Sequence, residues 1–185
     1  MKSNKTILLL LSSFLLLSFI VSAQDFPINE KTGKVSYEGI VQVEGNSAND
    51  LYIKANEWFA MTFNSANNVI QMQDKDAGKI IGKGAIEVEK SGYHNGVFDF
   101  TIKFTSKEGR FKYVITDIVH DKRGSNLNCS GGGAIENEKP ACGSMNMFKK
   151  HWNILKTQAH NKLTVLSNDL KNHMSNTNND DNDDW

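Results

Sequence analysis

The side chains best suited to chemistry are few. Cys129 and Cys142 are the only thiols in the 185-residue sequence, and they bracket the Gly-rich part of one aperiodic stretch, 121–144. A disulfide is the natural reading, and closing a loop of that size would stabilise by about 3 kcal/mol in the chain-entropy model. Two free thiols remain the alternative, because spacing alone does not bring two Cα atoms within reach. With His120 or His151 the cysteines could in principle ligate zinc. The C-x₂₋₄-C and H-x₃₋₅-H spacings are absent, so no metal is expected.

Other constellations are weaker still. Asp117, His120 and Ser125 or Ser130 contain the residue types of an acyl-transfer triad, but no nucleophile elbow or oxyanion-hole motif accompanies them. Glu136 and Glu138 could be the paired acids of a sugar hydrolase, although two acids in one loop are commonly solvated charges. Ser130 followed by Gly131, Gly132 and Gly133 invites a phosphate-loop reading. It lacks both the Lys-Ser/Thr ending and the strand-to-helix setting, so a flexible loop is expected. The Asp-rich C-terminus does not follow the calcium-loop pattern of an EF-hand. No catalytic residue and no cofactor is therefore expected.

What would position these residues is legible from periodicity. The run 47–65 (SANDLYIKANEWFAMTFNS) reads as an amphipathic helix. Ser47 can serve as N-cap for the Asp50 N–H, and Leu51, Ala55, Trp58, Phe59 and Thr62 form its apolar stripe. Before it, 34–44 alternates as a half-buried strand, with Val35, Tyr37, Val41 and Val43 inward and Ser36, Glu38, Ile40 and Gln42 outward. After it come a short apolar run at 69–72, a strand carrying Ile80, Gly82, Gly84, Ile86 and Val88 on one face, and the aromatic strand Phe98, Phe100, Ile102, Phe104. Glycines in a strand interior imply close overhead packing, so Trp58 or Phe59 is expected above Gly82 or Gly84. The next strand places Phe111, Tyr113, Ile115 and Val119 inward and Lys112, Val114, Thr116 and Ile118 outward. Such short connections force antiparallel neighbours.

A second helix is expected to open at Ser144, with Phe148, Trp152, Leu155, Ala159, Leu163, Leu166 and Leu170 in one stripe. The expected fold is α+β, in the order β-α-β-β-β-β-α. An antiparallel sheet of about five strands has both helices packed on one face and the other open to solvent. Residues 24–173 form one domain, and 174–185 form a disordered acidic tail.

The N-terminus sets the compartment. Lys2 and Lys5 precede an apolar run over 7–21 and the small-residue pattern Val21-Ser22-Ala23, which together read as a signal peptide over 1–23. The run is shorter than the ~20 residues that span a bilayer, and no later stretch is apolar enough to span after cleavage. An exported chain, periplasmic or secreted, is expected. Cleavage leaves 19 basic against 21 acidic side chains, without the clustered basic excess of a nucleic-acid binder, so no nucleic acid is expected as partner.

Several motifs in order carry a family resemblance. They are FPINEKTGKVSYEGIVQVEG at 26–45, NEWF at 56–59, VIQMQDKDAGKIIGKG at 69–84, RFKYVITDIVH at 110–120, ENEKPACG at 136–143 and KKHWN at 149–153. On these the chain resembles an uncharacterised secreted family of Bacteroidota, the domain of unknown function numbered 4468 with a TBP-like fold. The resemblance covers nearly all of the mature domain, but Cys129 and the Asp-rich tail lie outside it. It implies a fold and brings no activity or ligand. The DNA-saddle use of that fold needs a basic open face, whereas here Glu38, Glu87 and Asp99 mix with the lysines. Fold analogy therefore carries no function.

These observations point to an exported, non-enzymatic binding or interaction module. Its ligand is unknown, an envelope protein or a small molecule, and its oligomeric state is open. Its surface is the open sheet face, with Ile40, Val114, Ile118, Lys83, Lys103 and Lys112, together with the 121–144 loop. The alternative is a small cell-envelope hydrolase acting through that loop, with His120, a carboxylate and a nucleophile in one pocket.

Overall fold

The structure, a computed structural model, describes residues 26–122 and 129–176. The expected signal peptide and, of the expected acidic tail, residues 177–185 lie outside the described residues. The chain forms β1 (Tyr37–Gln42), α1 (Ala48–Thr62), the single-turn α2 (Ala66–Val69), β2 (Ile70–Asp74), β3 (Lys79–Ser91), β4 (His94–Lys107), β5 (Arg110–Asp121), β6 (Gly133–Ala134) and α3 (Lys149–Ser175). Helix α1 begins at the expected cap. Ser47 Oγ accepts from the Asp50 N–H at 3.1 Å, and the Asp50 carboxylate accepts from the Ser47 N–H at 3.2 Å. This reciprocal box satisfies two donors that would otherwise be orphaned in the first turn.

The strands form one antiparallel sheet in the order β1-β5-β4-β3-β2, with β6 paired to the far end of β5. Helices α1 and α3 pack on the sheet and on each other. Their stripes, Leu51, Tyr52, Ala55, Trp58 and Phe59 on α1 and Trp152, Leu155, Ala159, Leu163 and Leu170 on α3, are buried against Ile80, Phe98, Ile102 and Phe104. Phe59 lies over Gly82: a Cβ there would be 2.9 Å from Phe59 Cε1. At Gly84 a Cβ would be 2.5 Å from the Phe100 ring and 3.0 Å from Phe63. Both buried indoles are satisfied. Trp58 Nε1 donates to Asp169 Oδ2 of α3 at 2.7 Å, and Trp152 Nε1 donates to the Asn137 carbonyl at 2.8 Å.

The structure corrects four expectations. The first concerns β5, whose alternation does not run straight through. Asp99 pairs with Val119 and Thr101 with Thr116, so β5 spends one residue more than β4 between the two pairs. Asp117 absorbs the extra residue at φ 55°, a left-handed conformation that Asp tolerates. Beyond this bulge the parity inverts. Ile118 is fully buried, not on the open face, and Val119 is turned outward at 43 % exposure.

The second concerns α3, which begins at Lys149 rather than Ser144. Gly143 turns at φ 84°, Met147 is drawn into the core, and Phe148, at 67 % exposure, caps the helix instead of joining its stripe. Third, the helix runs past the expected boundary at 173, because Met174 completes its buried stripe.

The fourth concerns the Gly-rich run, which is packed rather than free. A Cβ on Gly132 would lie 2.2 Å from the Trp152 ring, and one on Gly131 would lie 2.3 Å from the His120 carbonyl. The glycines therefore serve backbone approach, not phosphate cradling.

Candidate functional site

Open-face residues fall in rows across the strands. Ile40 of β1 pairs with Lys112, Lys112 with Thr105, and Thr105 with Lys79. The next row is Glu38, Val114, Lys103 and Ile81, followed by Thr116, Thr101 and Lys83, and then by Val119, Asp99 and Ala85. Five of the six residues expected on this face, Ile40, Val114, Lys83, Lys103 and Lys112, are brought together on it. Ile118 is the exception, because the bulge sends it into the core.

The face is graded in charge. At the β4–β5 hairpin end, Lys107 pairs with Arg110 beside Lys112, and the three line a groove of about 330 Å³ with Ile40, Thr105 and Phe111. Ile40 stands 65 % exposed among these cations. Toward the other end the outward residues include Glu87, Asp99 and Asp121. A larger cleft of about 930 Å³ lies there, with Lys83, Asp99, Thr101, Asp117 and Val119 on the sheet side and Asn64, Ser65 and Asn68 from the segment after α1. Asp117 holds an ion pair with Lys34, whose ammonium is kept above its usual range by that hydrogen bond and charge. Both side chains are well exposed, so the pair adds little stability.

Of the 121–144 loop, residues 129–144 fold back on the sheet, where β6 pairs with β5. Cys129 and Cys142 are bridged, with S–S 2.03 Å and Cα–Cα 5.0 Å, and Ile135 between them in sequence is fully buried. Glu136 accepts from the Val35 N–H at 2.7 Å. Glu138 pairs with Lys149 at 2.6 Å, which holds its carboxyl below the usual range. The two acids are thus tied to different elements.

Of the expected triad residues, Asp117 and His120 are not brought together either, while Ser130 lines a cleft of about 330 Å³ with His120 and Asp121. Asp117 engages Lys34 on the open side, while His120 is buried on the helix side and its Nδ1 accepts from the Gly132 N–H at 2.8 Å. Ser125 lies outside the described residues. Accepting at Nδ1 places the His120 proton on Nε2. Burial, opposed by the Asn95 backbone and Asp121 and reinforced by His94 and Lys122, pushes this imidazole down to about 4.

Near His120 the structure gathers His94 and Lys122, which sequence reading did not single out, together with His151, which it did. His94 and Lys122 join it on the helix side, and His151 hydrogen-bonds Ser91 at 2.8 Å with its ring centroid 5.6 Å from that of His94. The signal for them was parity: once the bulge is counted, Lys122 shares the inward face with Ile118 and His120. Among the described residues, no cluster of three or more His, Cys, Asp or Glu side chains is arranged to hold a metal ion.

Comparison with known proteins addresses the fold. Residues 37–121 match the model of a family described as a domain of unknown function (DUF4468) with TBP-like fold. A TBP-like protein from Parabacteroides distasonis is similar in structure, with TM-score 0.63 and 16 % identity, over 80 % of this chain and 97 % of that one. A DUF4468 family protein from Bacteroides ovatus is similar with TM-score 0.58 and 16 % identity, over 82 % and 92 % of the two chains. Among curated proteins none matches the chain. At such identities the likeness shows the fold alone, an α+β TBP-like architecture.

Proposed function

We propose that this chain, which resembles the DUF4468 family with TBP-like fold over residues 37–121, is an exported, non-enzymatic interaction module. Its working surface is the open sheet face, flanked by the loop stapled through Cys129 and Cys142. One observation carries the reading: Ile40, largely exposed, sits in a basic groove with Arg110 and Lys112 on a sheet face that no described helix covers. An exposed apolar side chain ringed by charge is the arrangement of a small interaction centre with a polar rim.

The charge gradient selects the partner. It is an envelope protein presenting acids opposite Lys107, Arg110 and Lys112 and bases opposite Glu87 and Asp121, with an apolar side chain to meet Ile40. Export is supported by the N-terminal segment and by the disulfide, which suits an oxidising compartment.

The test is affinity capture from envelope extract with the wild-type chain and with the Ile40→Glu, Lys112→Glu double variant. The wild type should recover a defined partner that the variant loses, and recovery should fall as salt rises. Equal recovery by both chains sinks the reading.

A further inference from the structure

One corner of the helix-covered face holds three nitrogen atoms that are shielded from solvent and have no hydrogen-bond partner among the described residues. They are Lys122 Nζ, His94 Nδ1 and His120 Nε2. Their residues are 5 %, 8 % and 2 % exposed. A buried polar group without a partner is destabilising, and more so when charged. Three in one place therefore call for an explanation.

The register brings them together. Phe98 pairs with His120, and Val97 with Asp121, which sets Lys122 opposite Gly96 and diagonal to His94. Gly96 contributes no side chain between His94 and Phe98, and a Cβ there would lie 2.8 Å from His120 Nε2. Asp121, the acid whose charge reaches His120, alternates to the other side of β5. The positive charge of Lys122 instead weighs on both imidazoles, and His151 adds to the load on His94. The Asn95 carbonyl favours protonation of His120 without completing a well-formed hydrogen bond at Nε2.

The corner thus concentrates donors and positive charge on the inward side, where the Asn95 and Asp121 backbone carbonyls lie near His120 but, among the described residues, none of the three nitrogens completes a hydrogen bond. Nε2 of His120 carries its proton because Nδ1 accepts from Gly132, and the ammonium of Lys122 has three N–H bonds to give. We propose that this corner, framed by Lys122, His94 and His120 around Gly96, binds a small oxyanion of the phosphate and sulfate class. Bound there, the ion accepts from all three nitrogens and neutralises a buried ammonium. The site lies on the face of the sheet opposite the proposed interaction surface, so either reading can fail without the other.

The experiment is calorimetric titration of the mature protein at pH 7 with inorganic phosphate and with sulfate, ionic strength being held constant with sodium chloride. Thermal unfolding is followed in the same buffers. Saturable binding of one ion per chain is expected, with a melting temperature that climbs with anion concentration. Lys122→Met should weaken binding at least tenfold while raising the melting temperature of the anion-free protein, since it removes an unpaired buried charge. Lys122→Arg should retain binding. A second variant, His94→Leu, keeps the lysine and should weaken binding without the gain in anion-free stability. Absence of saturable binding for both ions, or equal binding by wild type and Lys122→Met, overturns the site.

Discussion

Along β4, Phe98, Ile102 and Phe104 are wholly or almost wholly buried under α1 and α3, whereas Asp99, Thr101, Lys103 and Thr105 of the same strand look onto a surface that no described helix covers. The strand obeys one backbone geometry, yet its two faces meet different physical demands. On the covered face, every apolar side chain withdrawn from water contributes to stability, and glycines appear where a neighbour must come close. On the open face, charge and solvation set the composition, and single replacements leave the core untouched. An antiparallel sheet permits this division because one side can remain in water. The two long helices sit on one side and the exposed Ile40 on the other. Stability and recognition are therefore expected to respond to different mutations.

The largest effect should come from the covered face. Trp152 stacks on Phe98 at 15°, presses against Gly132 and donates to Asn137. Trp152→Ala should destabilise by about 3–5 kcal/mol in denaturant unfolding. A cost below about 1 kcal/mol would mean that the Gly-rich loop does not hold the position described. Removing the staple comes next: the Cys129→Ser, Cys142→Ser double variant should lose about 3 kcal/mol, and reductant should lower the wild type to the same level.

His120 makes the same contrast depend on pH. Its folded-state value near 4 lies below the ordinary value of 6.5, so below 6.5 the unfolded chain binds more protons. The stability it secures is complete above pH 6.5 and is lost as pH falls from 6.5 toward 4, by about 3 kcal/mol in total. His120→Phe should flatten that part of the stability curve, measured by urea midpoints at steps of half a pH unit. An unchanged slope in the variant would show that His120 is not held neutral by burial. The smallest effect belongs to the open face: Ile40→Glu should change stability by no more than about 0.5 kcal/mol. A loss of several kcal/mol there would dissolve the distinction between the faces.

Much of this contrast could be read from residue order. The Ser47 cap with Asp50, the Leu51 to Phe59 stripe and the antiparallel meander depend on neighbours within one element or across a short turn, and their periodicities are local. Where reading failed, a local signal was overruled at longer range. The Asp117 bulge is a mismatch between two strands, invisible in either alone, and it moves Ile118 into the core and Val119 out of it. The Gly131 to Gly133 run looked like a flexible loop until Trp152, twenty residues on, was found against it. Helix α3 starts late because Met147 is recruited by the core.

By itself, then, the sequence determined the two-layer α+β plan and one helix start, and it identified the pair of cysteines, because alternation, helical period and capping are written in adjacent residues. Tertiary structure decided the pairing of Cys129 with Cys142, the inversion of parity after Asp117, and the meeting of His94, His120 and Lys122 around Gly96. Each of these depends on distances between residues far apart in the chain, and such distances are set only when the sheet register and the helix packing are settled together.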